Sequence, residues 1–124
     1  MASRREALAI LTATALLTRR VSAAERRFFR IATGSTGGTY YPIGALIAEA
    51  ISAPPGARPC AERGPCGVPG LIASSLATAG SVANIGLIQT GAVESGFVQG
   101  DIAAMAYLGQ GGWTGRPAGE LRAI

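Results

Sequence analysis

The chain has 124 residues, 48% of them apolar and only 15% charged, and its net charge is +4 with arginine as the only basic residue type. This composition excludes a disordered chain, and the length accommodates a single domain. Because there is no histidine and only two cysteines, the chain alone forms no Ser-His-Asp triad, no thiol-imidazole pair and no four-ligand zinc site of Cys and His. We expect neither a metal nor a cofactor.

The first 23 residues are typical of an export signal. Arg4 and Arg5 form a basic start, residues 7–17 are largely apolar, and small side chains lead up to Ala23. The pattern predicts a signal peptide over residues 1–23, cleaved after Ala23, and therefore a periplasmic protein. As a helix the apolar stretch would span about 16 Å, too short for a permanent transmembrane helix. Both the general secretory and the twin-arginine route remain open, and the alternative to export is an amphipathic helix of a cytosolic protein.

Little basic charge remains after this leader. The one cluster of basic residues beyond it consists of Arg26, Arg27 and Arg30. A nucleic-acid interface needs a basic patch with interleaved aromatic side chains in the folded part of the chain. We therefore expect no nucleic-acid partner.

The rest of the chain alternates between strand and helix patterns. Strands are predicted from aromatic, β-branched and apolar runs bounded by turn residues, and helices from apolar spacing, N-cap residues and Gly or Pro ends. The predicted strands are 28–33, 71–77, 95–99 and 121–124, and the predicted helices are 42–52, 81–91 and 101–109. Pro42 suits the first helical position, and Ser81 and Asp101 suit N-caps. The order β-α-β-α-β-α-β predicts an α/β fold with a parallel sheet, right-handed crossovers and helices on both faces.

The first predicted helix carries a stripe of apolar side chains at helical spacing. We expect this stripe to face the core. Its members are Ile43, Leu46, Ile47, Ala50 and Ile51.

Cys60 and Cys66 enclose five residues that include a Gly-Pro turn. Such a loop brings two Cα atoms within disulfide range, and an exported protein meets an oxidising compartment. The spacing predicts a structural disulfide that fixes a local hairpin, and it disfavours a redox-active pair because the motif is not C-x-x-C.

Three segments follow predicted strands and therefore meet at the carboxyl edge of the sheet. In the first, Ser35, Thr36 and Thr39 supply hydroxyls, Gly37 lets backbone amides approach a ligand, and a helix N-terminus follows. The loop favours binding of a carboxylate or phosphate, although it has neither P-loop nor dinucleotide spacing. A strand-to-helix turn without a ligand is the alternative.

The other two segments open the second and third helices. Ser81 and Asn84 lie in one, and Gln99 and Asp101 in the other. In open parallel sheets ligands collect at the carboxyl ends of the strands. The alternatives are a solvated helix face for Asn84 and simple helix capping for Gln99 and Asp101.

Four motifs in order resemble the TAXI-type solute-binding subunits of tripartite ATP-independent periplasmic (TRAP) transporters. The motifs, as they stand in this sequence, are FRIATGSTGGTYYPIG from residue 29, GSVANI from residue 80, ESGFVQ from residue 94 followed by Asp101, and LRAI from residue 121. The resemblance covers residues 27–124. It implies a type II periplasmic-binding-protein fold in which two α/β lobes close on a small organic anion such as glutamate or a dicarboxylate.

Carried over by position, the resemblance implies three groups of ligand-binding residues. The first loop contributes Ser35, Thr36, Gly37, Thr39 and Tyr40, the second Ser81 and Asn84, and the third Gln99 and Asp101. Gly100 departs from the family, which usually has Ser there, and this removes one possible hydrogen bond. The implied partners are a small organic anion or amino acid and the TRAP membrane permease subunits.

The family runs to roughly 300 residues or more, so the resemblance makes this chain the N-terminal part of a first lobe, with the second lobe absent. We therefore expect the 124-residue chain to bind solute weakly. The alternatives are a non-functional fragment of such a protein and, more remotely, a small exported enzyme. The enzyme reading lacks a His, Lys or paired carboxylate to activate Ser35 or Tyr40.

Overall fold

The computed structural model describes residues 25–124, so the predicted signal peptide over 1–23 lies outside the described residues. Three parallel strands form the central sheet: β1 (Arg27–Ala32), β4 (Leu71–Leu76) and β5 (Ser95–Gly96), in the order β4-β1-β5. The helices are α1 (Tyr40–Ile51), α2 (Ser81–Gln89) and α3 (Gly100–Leu108). A second parallel pair joins β2 (Ser52–Ala53) to β3 (Val68–Pro69). No helix within residues 25–124 is long and apolar enough to cross a bilayer.

Helices cover both faces of the central sheet. Ser75 lies opposite Ile31 in the β1–β4 register, and α1 packs on this face, where Gly44 lies against the side chains of Thr33 and Ser75. Successive residues of a strand point to opposite faces, so Ala32 points the other way. There Gly96, which is paired with Ala32, meets α2. The predicted α/β fold with a parallel sheet is confirmed, and it fits part of a periplasmic-binding-protein lobe.

The caps differ from the sequence prediction at each helix start. Pro42 is the third residue of α1, not the first, but it still lies in the first turn, where its missing N–H costs no helical bond. Gly80, with φ +95°, is the N-cap of α2, and Gln99 is the N-cap of α3. The predicted N-caps Ser81 and Asp101 are therefore wrong, since both lie inside the first helical turn.

Two predicted strands also need correction. The third is only Ser95–Gly96, because the Phe97 carbonyl accepts a hydrogen bond from the Asn84 side chain instead of continuing the ladder. The fourth is absent: Leu121 donates its N–H to the Ala118 carbonyl in a turn and packs on the core. A strand needs a neighbour for its ladder, and these residues have none among those described.

The helix α1 buries small residues and exposes large ones, so the predicted apolar stripe is wrong. Its buried residues are Gly44 and Ala48. Leu46 is 66% exposed and Ile47 is 41% exposed. A Cβ at Gly44 would lie 2.5 Å from Thr33 Cγ2, so α1 runs close to the sheet on its small-residue face. The aliphatic core lies on the opposite side of the sheet, around Ile85.

The segment between β2 and β3 is an excursion closed by the predicted disulfide. Cys60 and Cys66 are bonded, with Cα atoms 4.8 Å apart, which confirms the pairing. The predicted hairpin is wrong, because β2 and β3 on either side of the bond pair in parallel. The excursion follows the C-terminal end of α1 and leads into the start of β4. It therefore lies at the amino edge of the sheet.

Candidate functional site

Three loops meet at the carboxyl edge of the central sheet. They are residues 33–39 after β1, 77–80 after β4 and 97–99 after β5, and each leads into a helix. Because the three strands are parallel, their carboxyl ends lie at one edge. We call these loops and the first turns of the helices that follow them the rim. The rim brings together all nine predicted ligand residues, from Ser35 to Asp101.

A buried amide joins the three loops. Asn84 has no exposed surface, and its Nδ2 donates to the Thr33 carbonyl at 2.6 Å and to the Phe97 carbonyl at 2.7 Å. Its Oδ1 accepts the hydroxyl of Thr78 at 2.6 Å. Both ends of the amide are thus used inside the protein. The ligand contact of Asn84 stays a prediction; in this structure no atom of its side chain faces solvent.

The backbone strengthens the same junction. Thr78 donates its N–H to the Gly34 carbonyl at 3.1 Å, and Phe97 donates its N–H to the Ala32 carbonyl at 2.9 Å. The Thr33 hydroxyl donates to the Leu76 carbonyl at 2.6 Å. The first loop is therefore hydrogen-bonded to both of its neighbours.

The polar side chains of the first loop face outward. Ser35, Thr36 and Thr39 are exposed, and their hydroxyls make no hydrogen bond within residues 25–124. A Cβ at Gly37 would meet no atom within 4 Å, so the backbone there is open to a ligand. A turn closed by Gly38 N–H to the Ser35 carbonyl, at 2.9 Å, sets the loop's shape. Three hydroxyls and a helix N-terminus are thus presented on one open surface.

An aromatic pair lies at the side of this loop. The ring of Tyr40, the first residue of α1, stacks on Phe97 with centroids 5.2 Å apart. Both side chains are half-buried. Such a pair contributes about 0.5–1.5 kcal/mol beyond its buried area, so it fixes the start of α1 against the third loop.

The remaining predicted residues lie in the second and third loops. Ser81 Oγ accepts the backbone N–H of Gln99 at 3.0 Å, which ties the two loops together. Gln99 and Asp101 are exposed. One Asp101 oxygen accepts the N–H of Ile102 at 2.8 Å, an N-terminal contact within α3. This contact lies inside the first turn of α3, whose N-cap is Gln99, so it is not the predicted N-cap interaction.

The electrostatics of the rim favour a small anion. Helices of 12, 9 and 9 residues begin there, and each helix N-terminus carries partial positive charge and unpaired N–H groups. Asp101 is the only acidic residue within the rim segments, and they contain no Arg. Recognition of an anion at the rim would therefore rest on backbone amides and hydroxyls, with Asp101 opposing a second negative charge near α3.

An ion pair lies outside the rim, where β5 begins. Arg30 and Glu94 form a double contact, with Nη2 to Oε1 at 2.7 Å and Nε to Oε2 at 3.2 Å. Glu94 Oε2 also accepts the backbone N–H of Arg30 at 2.6 Å. These hydrogen bonds from Arg30 lower the pKa of Glu94 from 4.5 to about 2, and they raise the pKa of Arg30. The carboxylate thus extends the β1–β5 pairing by one position.

Sequence reasoning missed three residues that shape the rim: Thr33, Thr78 and Phe97. Burial within the fold makes them important, and a single sequence does not report burial. The sequence held one sign of this buried junction: Asn84 lies between the apolar residues Ala83 and Ile85. A polar amide in that setting is usually hydrogen-bonded inside the protein.

Other kinds of site are not formed by the described residues. Within residues 25–124, no group of three or more Cys, Asp or Glu side chains is placed to hold a metal ion. Two surface depressions lie away from the rim: one lies between Ile88 and Leu121, and the other lies beside the disulfide excursion.

A comparison with known protein families agrees with this geometry. Residues 31–124 match the NMT1-like family, a periplasmic solute-binding family. The matched range includes β1 from Ile31 onward and the whole rim. A solute-binding family and a disulfide together indicate an extracytoplasmic location. Because the family model covers residues 31–124, the chain belongs to the NMT1-like family of periplasmic solute-binding proteins.

Proposed function

We propose that this protein is the solute-binding component of a TRAP transporter, of the TAXI type, and that its rim binds a small organic anion such as glutamate or a dicarboxylate. The solute would then pass to the membrane permease subunits. The protein supplies recognition and no chemistry of its own. In the described residues, no Lys, His or paired carboxylate lies in the rim to activate a hydroxyl.

The observation that carries this proposal is the exposed first loop. Its three hydroxyls have no partner in the described part of the chain, and the N-terminus of α1 opens beside them. A carboxylate there would accept hydrogen bonds from Ser35, Thr36 or Thr39 and from the first amides of α1. The dipoles of the two other helices add to the attraction.

The test is a nuclear magnetic resonance titration of the 124-residue chain with succinate and with glutamate. We expect backbone amide shifts that saturate with solute and are concentrated at 35–41, 81 and 99–101. Matched variants are Ser35→Ala and Thr39→Val in the rim, and Thr114→Val as the control. Thr114 also has an exposed hydroxyl, but it bonds to the Gly111 carbonyl far from the rim in the chain.

Charge is the second control. The neutral analogue 1,4-butanediol has the carbon chain of succinate without its carboxylates, and we expect it to move the rim amides little. Equal shifts with the diol, or shifts that do not weaken in Ser35→Ala and Thr39→Val, would rule out an anion site in the first loop.

Export and the transporter partner need their own measurements. In a Gram-negative host we expect the mature chain to begin at Ala24 and to be recovered from the periplasm; cytosolic protein that retains Met1 would contradict export. Delivery to a TRAP permease predicts uptake into permease-containing vesicles that depends on the binding protein and not on ATP. Uptake that is unchanged without the protein would exclude that partner.

A further inference from the structure

Asn84 is fully buried beside the rim, as is Thr33, and its placement differs from that of the exposed rim hydroxyls. It lies in the fourth position of α2 with no exposed surface. A buried amide is costly unless its donors and acceptor are paired, and here all of them are. Its function must therefore be exerted through the groups that it contacts.

Those groups belong to all three loops. The Thr33 and Phe97 carbonyls, which accept from Nδ2, lie at the starts of the first and third loops, and Thr78 lies in the second. The two carbonyls can only accept, so they direct Nδ2 toward themselves and leave Oδ1 facing Thr78. The Thr78 hydroxyl lies 2.6 Å from Oδ1 and 3.0 Å from the Thr33 carbonyl, and it accepts the N–H of Gly80 at 3.1 Å.

Close packing leaves this arrangement little freedom. A Cβ at Gly96 would lie 3.2 Å from the Cβ atoms of both Ala32 and Asn84, tighter than ordinary contact. Beyond the amide, Phe97 stacks on Tyr40 at the start of α1. A continuous path of contacts thus leads from Asn84 through Phe97 to Tyr40 and the first loop.

We propose that Asn84 is a positioning residue for solute binding: its amide, hydrogen-bonded to Thr78 and to the Thr33 and Phe97 carbonyls, holds the three rim loops in one arrangement before solute arrives. This inference rests on the proposed function of the rim. Its physical basis is preorganisation, because loops already fixed to one another lose less freedom when a ligand binds.

The test changes the hydroxyl of Thr78 and leaves Asn84 in place. Thr78→Val removes the donor to Oδ1, Thr78→Ser restores it, and Thr114→Val is the control outside the rim. Without solute, we expect Thr78→Val to shift the side-chain amide signals of Asn84 and the backbone amides of Phe97 and 35–40. With succinate, we expect its affinity to fall by about 2- to 10-fold, the range of one net hydrogen bond, while Thr78→Ser stays within about twofold of the parent.

The two measurements separate this inference from the function on which it rests. If Thr78→Val is folded and the signals of Phe97 and 35–40 stay at their parent positions, the coupling of the loops is overturned, whatever the solute result. If those signals move but succinate affinity is unchanged, the positioning role is overturned and only a structural role is left. If the parent chain shows no succinate shifts, the proposed function fails, while loop shifts in Thr78→Val would still support the coupling.

Discussion

Gly44 shows how one missing side chain places a whole helix. A Cβ there would lie 2.5 Å from Thr33 Cγ2 and 3.4 Å from Phe97 Cε2. Both neighbours belong to rim loops, so the position of α1 and the shape of the rim depend on the same contact.

We expect Gly44→Ala to lower the free energy of unfolding by about 1–3 kcal/mol, since overpacking forces α1 away from the sheet. The matched control is Gly86→Ala in α2, where a Cβ would meet nothing within 4 Å. That variant should be neutral or gain up to about 1 kcal/mol from helix propensity. Urea denaturation measures both, and equal stabilities for the two variants would contradict the close approach.

The ion pair of Arg30 and Glu94 gives a stability that depends on pH. The pKa of Glu94 is about 2 in the folded protein and 4.5 as the ordinary value. A lowered folded pKa means that the contribution is complete above about pH 4.5 and disappears as the pH falls toward 2. The pair lies at the surface, where solvent screens it, so its contribution should be small.

The measurement is thermal unfolding between pH 2 and pH 6 for the parent, Glu94→Gln and the control Glu49→Gln. Glu49 is exposed on α1 and has no ion-pair partner among residues 25–124. Below pH 4.5 the melting temperature of Glu94→Gln should fall less steeply than that of the parent. The melting temperature of Glu49→Gln should fall as steeply as that of the parent. If the melting temperatures of the parent and of Glu94→Gln fall equally over this pH range, the ion pair does not contribute to stability.

At the scale of elements, the disulfide excursion is separate from the rim. It joins the amino edge of the sheet, while the rim lies at the carboxyl edge. A closed loop this small stabilises a protein by about 2 kcal/mol through the entropy of the unfolded chain. Its loss should therefore weaken the fold without reshaping the binding surface.

We expect intact protein to be lighter by two hydrogens than the reduced form, and the double variant Cys60→Ser/Cys66→Ser to unfold at lower urea. Reductant should destabilise the parent and leave the double variant unchanged, which is the internal control. The rim amides of the double variant should keep their parent shifts. Two alkylatable thiols in the untreated exported protein would contradict the bond.

The order of the three central strands and the three helices could be predicted from the sequence, but the burial of α1 could not. Strand runs, turn residues and helix spacing are local signals, and they located β1, β4 and the three helices to within two residues. The first helix carries a single charged residue, Glu49, so its pattern hardly distinguishes an inner from an outer face. Contact with Thr33 and Ser75 decides the orientation, and only the folded chain brings them to Gly44.

For the candidate site, the positions of the three loops could be predicted from the sequence, but the direction in which their side chains face could not. Strand ends followed by Gly and hydroxyl residues located the three loops, because parallel strands bring their carboxyl ends together. The division between Asn84, which faces inward, and Ser35, which faces outward, depends on how α2 packs. The two-residue length of β5 depends on the same amide, which takes the Phe97 carbonyl out of the ladder.

At the scale of the whole molecule, the rim is open on its outer side. Small-ligand sites bury about 70–90% of the ligand surface, and a single row of loops leaves one side of a solute in water. Hydrogen bonds to a carboxylate lose much of their strength where water competes for it. Tight binding therefore needs a second surface facing the rim.

We expect the 124-residue chain to bind glutamate or succinate with a Kd of about 1 mM or weaker, corresponding to roughly 4 kcal/mol. Calorimetric titration with the two solutes measures this, and the shift titration gives an independent value. The Thr114→Val variant should bind with the same Kd. Micromolar binding by soluble, monomeric protein would show that the rim binds solute tightly without a second surface.

The central position of β1 has a consequence for folding. Its partners are the later residues 71–76 on one side and 95–96 on the other, so no local hairpin can form around it. Pairing between segments far apart in the chain must first close long loops, and this makes folding slow. A chain that emerges from the ribosome in order presents its first strand long before either partner exists. The three-stranded sheet thus cannot be completed until residues 95–96 have been synthesised.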